Sequence, residues 1–233
     1  MTLAKVVHHA APLRQQVLQA IRDQILDGTL APGQRLRESV LCERFGVSRT
    51  VIRESLRQLE SEHLVTVLPN RGPIVTVLSA EDITSIYEVR RALEGLTGEL
   101  FALNATDAEA IALLGHIVEM ERSYVRGTVS SREAAKETFY DLLLGGASNE
   151  VLAASLRGVH RRIAVFRRAA FLDDGRVACS MEELRRIAIA AAGHRDPTAA
   201  RSACERHIRT AGELAVVEYA RRTPDAGIPD LAR

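Results

Sequence analysis

Arg49, Arg53 and Arg57 recur at four-residue intervals, so on a helix they share one face. Guanidinium groups set out in this way clamp phosphates, or read guanine O6 and N7 through two parallel bonds. Ser48 stands just before them. It is an N-capping residue type, and a helix start offers free N–H groups and a positive pole to a phosphate. Arg71, in the turn sequence Pro69-Asn70-Arg71-Gly72-Pro73, is a further cation able to reach a groove or backbone. A merely solvated arginine face is the plain alternative. Further along, Arg90 shares a helical stripe with Ile83, Ile86, Tyr87, Leu93 and Thr97, and His207 shares one with Ala203, Ala211 and Leu214. Both therefore point inward. A buried arginine needs an anionic partner, supplied either by Glu94 four residues on or by a bound carboxylate or phosphate. No HExxH, Gly-rich phosphate loop or nucleophile elbow is present. Asp173-Asp174 reads as a turn, and Arg161-Arg162 and Arg167-Arg168 as solvated faces or ion-pair partners. His116, His160 and His194 are scattered.

The elements that must carry the arginine face follow from local signals. Apolar residues Leu13, Val17, Ala20, Ile21 and Ile25 predict a helix from Pro12 to Asp27, stopped by Gly28. Pro32-Gly33 marks a turn. A short helix over Glu38–Phe45 turns Val40, Leu41 and Phe45 inward and ends on Gly46 in a left-handed conformation. Ser48 then opens a helix through Glu62, with Ile52, Leu56 and Leu59 as its buried stripe. Two helices joined by such a turn make a helix-turn-helix. The β-rich runs Leu64–Leu68 and Ile74–Leu78 add a hairpin, the wing of a winged helix. From Ser79, which forms a capping-box pattern with Asp82, six helices are expected over 80–103, 107–126, 131–145, 148–172, 177–193 and 197–222. Residues 223–233 read as a flexible tail.

Composition agrees with a mainly α fold. Trp is absent and only five Phe and four Tyr are present among 233 residues, so the core is built from aliphatic side chains, which suits packed helices. Cys42, Cys179 and Cys204 describe neither a disulfide framework nor a zinc knuckle. No apolar run is long enough for a membrane span. The N-terminus, with Lys5, His8 and His9, has no continuous apolar region of a secretory signal, so the expected location is cytoplasmic. The net charge of +1 divides unevenly: residues 1–78 hold ten Lys/Arg against seven Asp/Glu, and the remainder 21 against 23. The basic excess lies with the arginine face.

The stretch Gly28-Thr-Leu-Ala-Pro-Gly33, Leu36-Arg-Glu38, Arg44-Phe-Gly-Val-Ser-Arg-Thr50, Arg53-Glu54, Leu56, Leu59-Glu60 and Leu64-Val65 resembles the DNA-binding domain of GntR-family bacterial transcription regulators. The resemblance implies operator contacts by Ser48, Arg49, Arg53, Arg71 and Gly72, with Thr50 a weaker candidate and Arg57 on the same face. Val51 stands where proline is usual, and proline there is favourable but dispensable. His63 replaces a glycine at a position that often needs positive φ, so it is expected to act as a cap.

Tyr87-Glu-Val-Arg-Arg-Ala-Leu-Glu94, Phe139, Ala147-Ser-Asn149 and Arg206-His207-Ile208 resemble the FCD effector domain of FadR-type members, in the six-helix, VanR-like form. This implies a bundle that binds an effector and dimerises. Many members hold a divalent metal with one Asp or Asn and three His. Here Lys136, Tyr140 and Leu184 stand at three of those positions, and only His207 remains. No metal or other cofactor is therefore expected. Glu137, Asp141 or Glu183 would serve only after a shift of helix register. The pocket expected instead holds an anionic effector through Arg90, with Lys136, Tyr140 and His207 adding hydrogen bonds.

The expectation is a winged helix over 1–78 and an effector-binding, dimerising bundle over 79–222. Together they form a ligand-responsive regulator, a repressor, that binds a pseudo-palindromic double-stranded operator as a homodimer. The rivals are an architectural DNA binder whose helical domain only dimerises, and a helical enzyme fused to a DNA-binding module.

Overall fold

The computed structural model describes residues 10–222. The leader reading at residues 1–9 and the tail at 223–233 lie outside the described residues. The chain divides between Val77 and Leu78 into two units.

The first unit comprises α1 (Ala10–Leu26), α2 (Glu38–Phe45), α3 (Arg49–Ser61), β1 (Val65–Leu68) and β2 (Gly72–Val75). Val17, Ile21 and Ile25 of α1 are buried with Leu41, Ile52, Leu56 and Leu59. The expected inward position of Val40 is not observed, because α2 has only two turns and faces the core through Leu41, leaving Val40 53% exposed. Gly46 takes φ 64 and ends α2. Ser48 caps α3, its hydroxyl accepting from the Val51 N–H. At the far end His63 adopts φ 60. Its N–H donates to the Glu60 carbonyl and that of Leu64 to Leu59, the paired bonds of a Schellman cap. The antiparallel wing pairs Val65 with Val75 and Leu68 with Gly72. β2 starts two residues earlier than the alternation predicts and ends at Val75. Pro73 is absorbed into it, opposite Val67, because a proline needs no donor partner and its carbonyl accepts from Leu36.

The second unit is all helical: α4 (Ala80–Asn104), α5 (Asp107–Met120), α6 (Val129–Ala147), α7 (Glu150–Arg162), α8 (Ala164–Ala170), α9 (Asp174–Ala188) and α10 (Pro197–Arg222). Wider π-helical turns follow α5 at Glu121–Val125 and α9 at Ile189–Gly193. Ser79 and Asp82 form the expected capping box. The long helix expected over 148–172 is divided into α7 and α8. Ile163 leaves helical geometry at φ −105° and ψ 12°. Its fully buried side chain joins Ile83, Tyr87 and Ile208, so tertiary packing overrides the local pattern. The expected break at Gly145-Gly146 does not occur. A Cβ on Gly146 would lie 2.4 Å from the Phe101 ring, so this glycine permits close packing, and α6 ends instead on left-handed Ser148. Asp173 does more than turn the chain, since its carboxylate caps α9 by accepting from the Arg176 N–H. Among the described residues no helix is long and apolar enough to cross a membrane.

Candidate nucleic-acid interface and effector cavity

Burying Ile52, Leu56 and Leu59 turns the other side of α3 outward, and Ser48, Arg49, Thr50, Arg53 and Arg57 are all exposed there. The arginines differ in their surroundings. Arg53 Nε donates to both carboxylate oxygens of Glu38 at 2.9 Å, tying α3 to α2. That hydrogen bond, with the charge of Glu38, raises the Arg53 pKa. Arg57 pairs with Glu54 at 3.2 Å. Arg49, beside the helix start, has no ion-pair partner among the described residues. Arg71 is exposed in the wing turn, and Gly72 follows it at φ 76.

In the second unit the inward stripe of α4 carries Arg90 and Glu94, each 1% exposed. Arg90 Nε donates to Glu94 at 2.6 Å. Tyr140 O–H donates to the other Glu94 oxygen at 2.8 Å, and His160 Nε2–H to the first at 3.0 Å. Of the two partners open to Arg90, the internal one is made. Burial opposes ionisation of Glu94, but the Arg90 charge and the His160 hydrogen bond outweigh it and hold the carboxyl well below its usual range. A second network lies on α9 and α10. Arg176 forks onto Glu183 at 2.9 and 2.7 Å, and His207 Nδ1–H donates to Glu183 at 2.5 Å. Burial raises the Glu183 pKa, but the His207 and Arg176 hydrogen bonds bring it down to about 2. Burial, then the charge of Lys136, lowers His207 to about 4. The neutral ring thus carries its proton on Nδ1, and Nε2 is a buried lone pair with no partner among the described residues.

A cavity of about 310 Å³ opens between these networks. Arg90 and Lys136 line it; Tyr140 and His207 do not, and act behind its wall on Glu94 and Glu183. Tyr124, Arg176 and Ser180 line it too. Tyr124 O–H donates to Ser180 Oγ at 3.0 Å, and Lys136 Nζ to the same oxygen at 3.4 Å. Ser180 was legible as a polar residue on the apolar stripe of Val177, Met181 and Leu184, and His160 as a buried partner on that of α7. The family's metal positions do not make a metal site here. Lys136 brings a cation, Leu184 is apolar, the Tyr140 hydroxyl is engaged by Glu94, and one imidazole remains. That set lacks the three or four donors a tight site requires. Among the described residues no group of three or more His, Cys, Asp or Glu is gathered for a metal.

The family described as "Bacterial regulatory proteins, gntR family" matches residues 13–75, and the FCD domain matches residues 85–210, more than half of the chain. The chain belongs to the GntR family. An HTH-type transcriptional regulator of Bacillus subtilis, YdhC, is 32% identical to this GntR protein over 177 residues, 76% of this chain and 79% of that one. The gluconate operon transcriptional repressor of Bacillus licheniformis is 32% identical over 123 residues, 53% and 48% of the two chains. The fold is that of McbR/YncC of E. coli, with a TM-score of 0.71 at 19% identity, covering 92% of this chain and all of the other. This GntR member is a DNA-binding transcription regulator with an FCD domain. Its family and relatives are transcriptional regulators, not enzymes.

Proposed function

We propose that this GntR-family regulator is a ligand-responsive repressor that binds a pseudo-palindromic operator as a homodimer in the cytoplasm. The exposed, Ser48-capped face of α3 carries the reading. Each subunit lays α3 in a major groove, with Arg49 and Arg53 at base edges or phosphates, Thr50 and Arg57 beside them, and Arg71-Gly72 at the wing. Glu38 holds Arg53 extended until DNA competes for it. Similarity to a gluconate operon repressor supports repression. The buried cations around the cavity support an effector domain over a dimerisation scaffold, the effector being a carboxylate or other small anion. Its binding shifts the population of dimer geometries and so changes operator affinity.

A competition gel shift against non-specific DNA tests the assignment. Arg49→Ala and Arg53→Ala each lower operator discrimination by about 1–3 kcal/mol per half-site, with far-UV circular dichroism and subunit association unchanged. Wild-type discrimination in both variants removes α3 as the reading helix.

A further inference from the structure

Along the seam between α4 and α10, one stretch is closed by ion pairs and the next is not. A Cβ on Gly212 would lie 3.2 Å from Tyr87, and one on Gly95 2.9 Å from Glu205. The two helices therefore run antiparallel, with Tyr87 level with Gly212 and Gly95 level with Glu205. Beside Gly95 the charges satisfy one another, since Arg201 pairs with both Glu99 and Glu205. Towards the start of α4 the same seam opens into a groove of about 260 Å³, lined by Thr84, Tyr87, Ile208, Gly212 and Val216. Its charged residues are Glu88 and Arg91 from α4 and Arg209 and Glu213 from α10, all exposed. None of the four forms an ion pair among the described residues. Glu81 and Arg206, exposed further along α4 and α10, add one charge of each sign.

Acids and bases in equal number do not attract a polyanion such as DNA; they fit a surface with the same balance. In a two-fold dimer residue i of one subunit meets j of the other, and j meets i. The midpoint of Glu88 and Arg91 lies level with that of Arg209 and Glu213, to within about one residue's rise. One two-fold axis crossing the seam at that level sets Glu88 opposite Arg91 of the partner subunit, and Arg209 opposite Glu213 of the partner subunit. Every acid then meets a base. We propose that this groove is the face on which a second copy of the chain docks, like helix against like helix. Helices of 25 and 26 residues lying side by side offer a face about 37 Å long and about 20 Å across. That is close to the roughly 800 Å² each partner of a stable pair buries. The face rests on the homodimer reading and joins it to the effector, because Tyr87 lines both the groove and the effector cavity. A ligand against Tyr87 lies directly behind the subunit contact.

Sedimentation velocity of the full chain over a concentration series tests the face. The wild type should dimerise. Glu88→Arg and Arg209→Glu should each weaken dimerisation by about tenfold or more, because each change acts twice across the axis and turns attraction into repulsion. The double exchanges, Glu88→Arg with Arg91→Glu and Arg209→Glu with Glu213→Arg, should each restore it, since opposite signs again meet. A merely structural loss has no such rescue, and thermal unfolding of every variant controls for folding. Dimerisation unchanged in both single variants overturns this face and keeps the homodimer reading. Weakening that neither exchange rescues overturns the pairing across the axis. A wild-type chain that stays monomeric at every concentration overturns the homodimer reading and this face together, while the operator gel shift still reports on DNA binding.

Discussion

An imidazole held neutral between a carboxylate and an ammonium group makes stability depend on pH in a defined window. His207 titrates near 6.5 in an unfolded chain and near 4 in the folded protein, because burial and the Lys136 charge disfavour its protonated form. Between these values the unfolded chain binds the extra proton. Stability from this residue is therefore complete above about pH 6.5 and is lost as pH falls towards 4, by about 3 kcal/mol in total. Glu183 and Glu94, both held low, lose their contributions in a more acidic range. Urea unfolding of the wild type should show a slope of stability with pH between 4.5 and 6.5. His207→Asn keeps a donor for Glu183 and should flatten much of that slope. An unchanged slope in the variant would place the titrating group elsewhere. The same residue scale explains why Glu94 outranked a ligand as the partner of Arg90. It lies one turn away on the same stripe and accepts from Tyr140 and His160 as well.

Elements were legible where their signals are local. Gly46 and Ser48 fix the turn between α2 and α3, His63 caps α3 despite its side chain, and the Ser79–Asp82 pair starts α4. The exposed arginine face followed from the stripe opposite it. What was not legible depends on partners distant in sequence. The kink at Ile163 is set by packing against α4 and α10, and Gly146 serves Phe101 from another helix. The cavity needed α8 to separate from α7 before its walls could be named. Arg132 is of the same kind, an arginine early in α6 that nothing in the sequence marks as buried. It is 7% exposed and donates to the carbonyls of Tyr124, Val125 and Phe171 and to Asp174. It thereby joins the π-helical turn after α5 to the segment between α8 and α9. Charge-assisted bonds of this type contribute about 1.5–3 kcal/mol each, and carbonyls left dry add a penalty. Arg132→Ala should lower unfolding stability by about 3 kcal/mol, and Arg132→Lys should recover only part of it, lacking the fork. A loss below about 1 kcal/mol in urea titration would show water replacing the guanidinium.

At the scale of the whole chain, a net charge of +1 conceals a regulator whose first 78 residues are basic and whose remainder is acidic. Electrostatic attraction to DNA therefore comes from a few arginines, and counting them measures how many subunits engage. Each phosphate neutralised contributes about 0.9 to the slope of log affinity against log salt on duplex DNA. Arg71 is suited to the count, because it is exposed and its backbone N–H keeps the wing turn through the Leu68 and Pro69 carbonyls whatever the side chain. If a homodimer sets one wing tip against the backbone of each half-site, Arg71→Ala removes two phosphate contacts and reduces the slope by about 1.8. A single engaged subunit gives about 0.9, and an unchanged slope means that Arg71 touches no phosphate. Operator titrations at several salt concentrations distinguish the three. Because Arg71→Ala weakens specific and non-specific DNA alike, sequence discrimination should stay with α3. A loss of discrimination in this variant would move base readout to the wing.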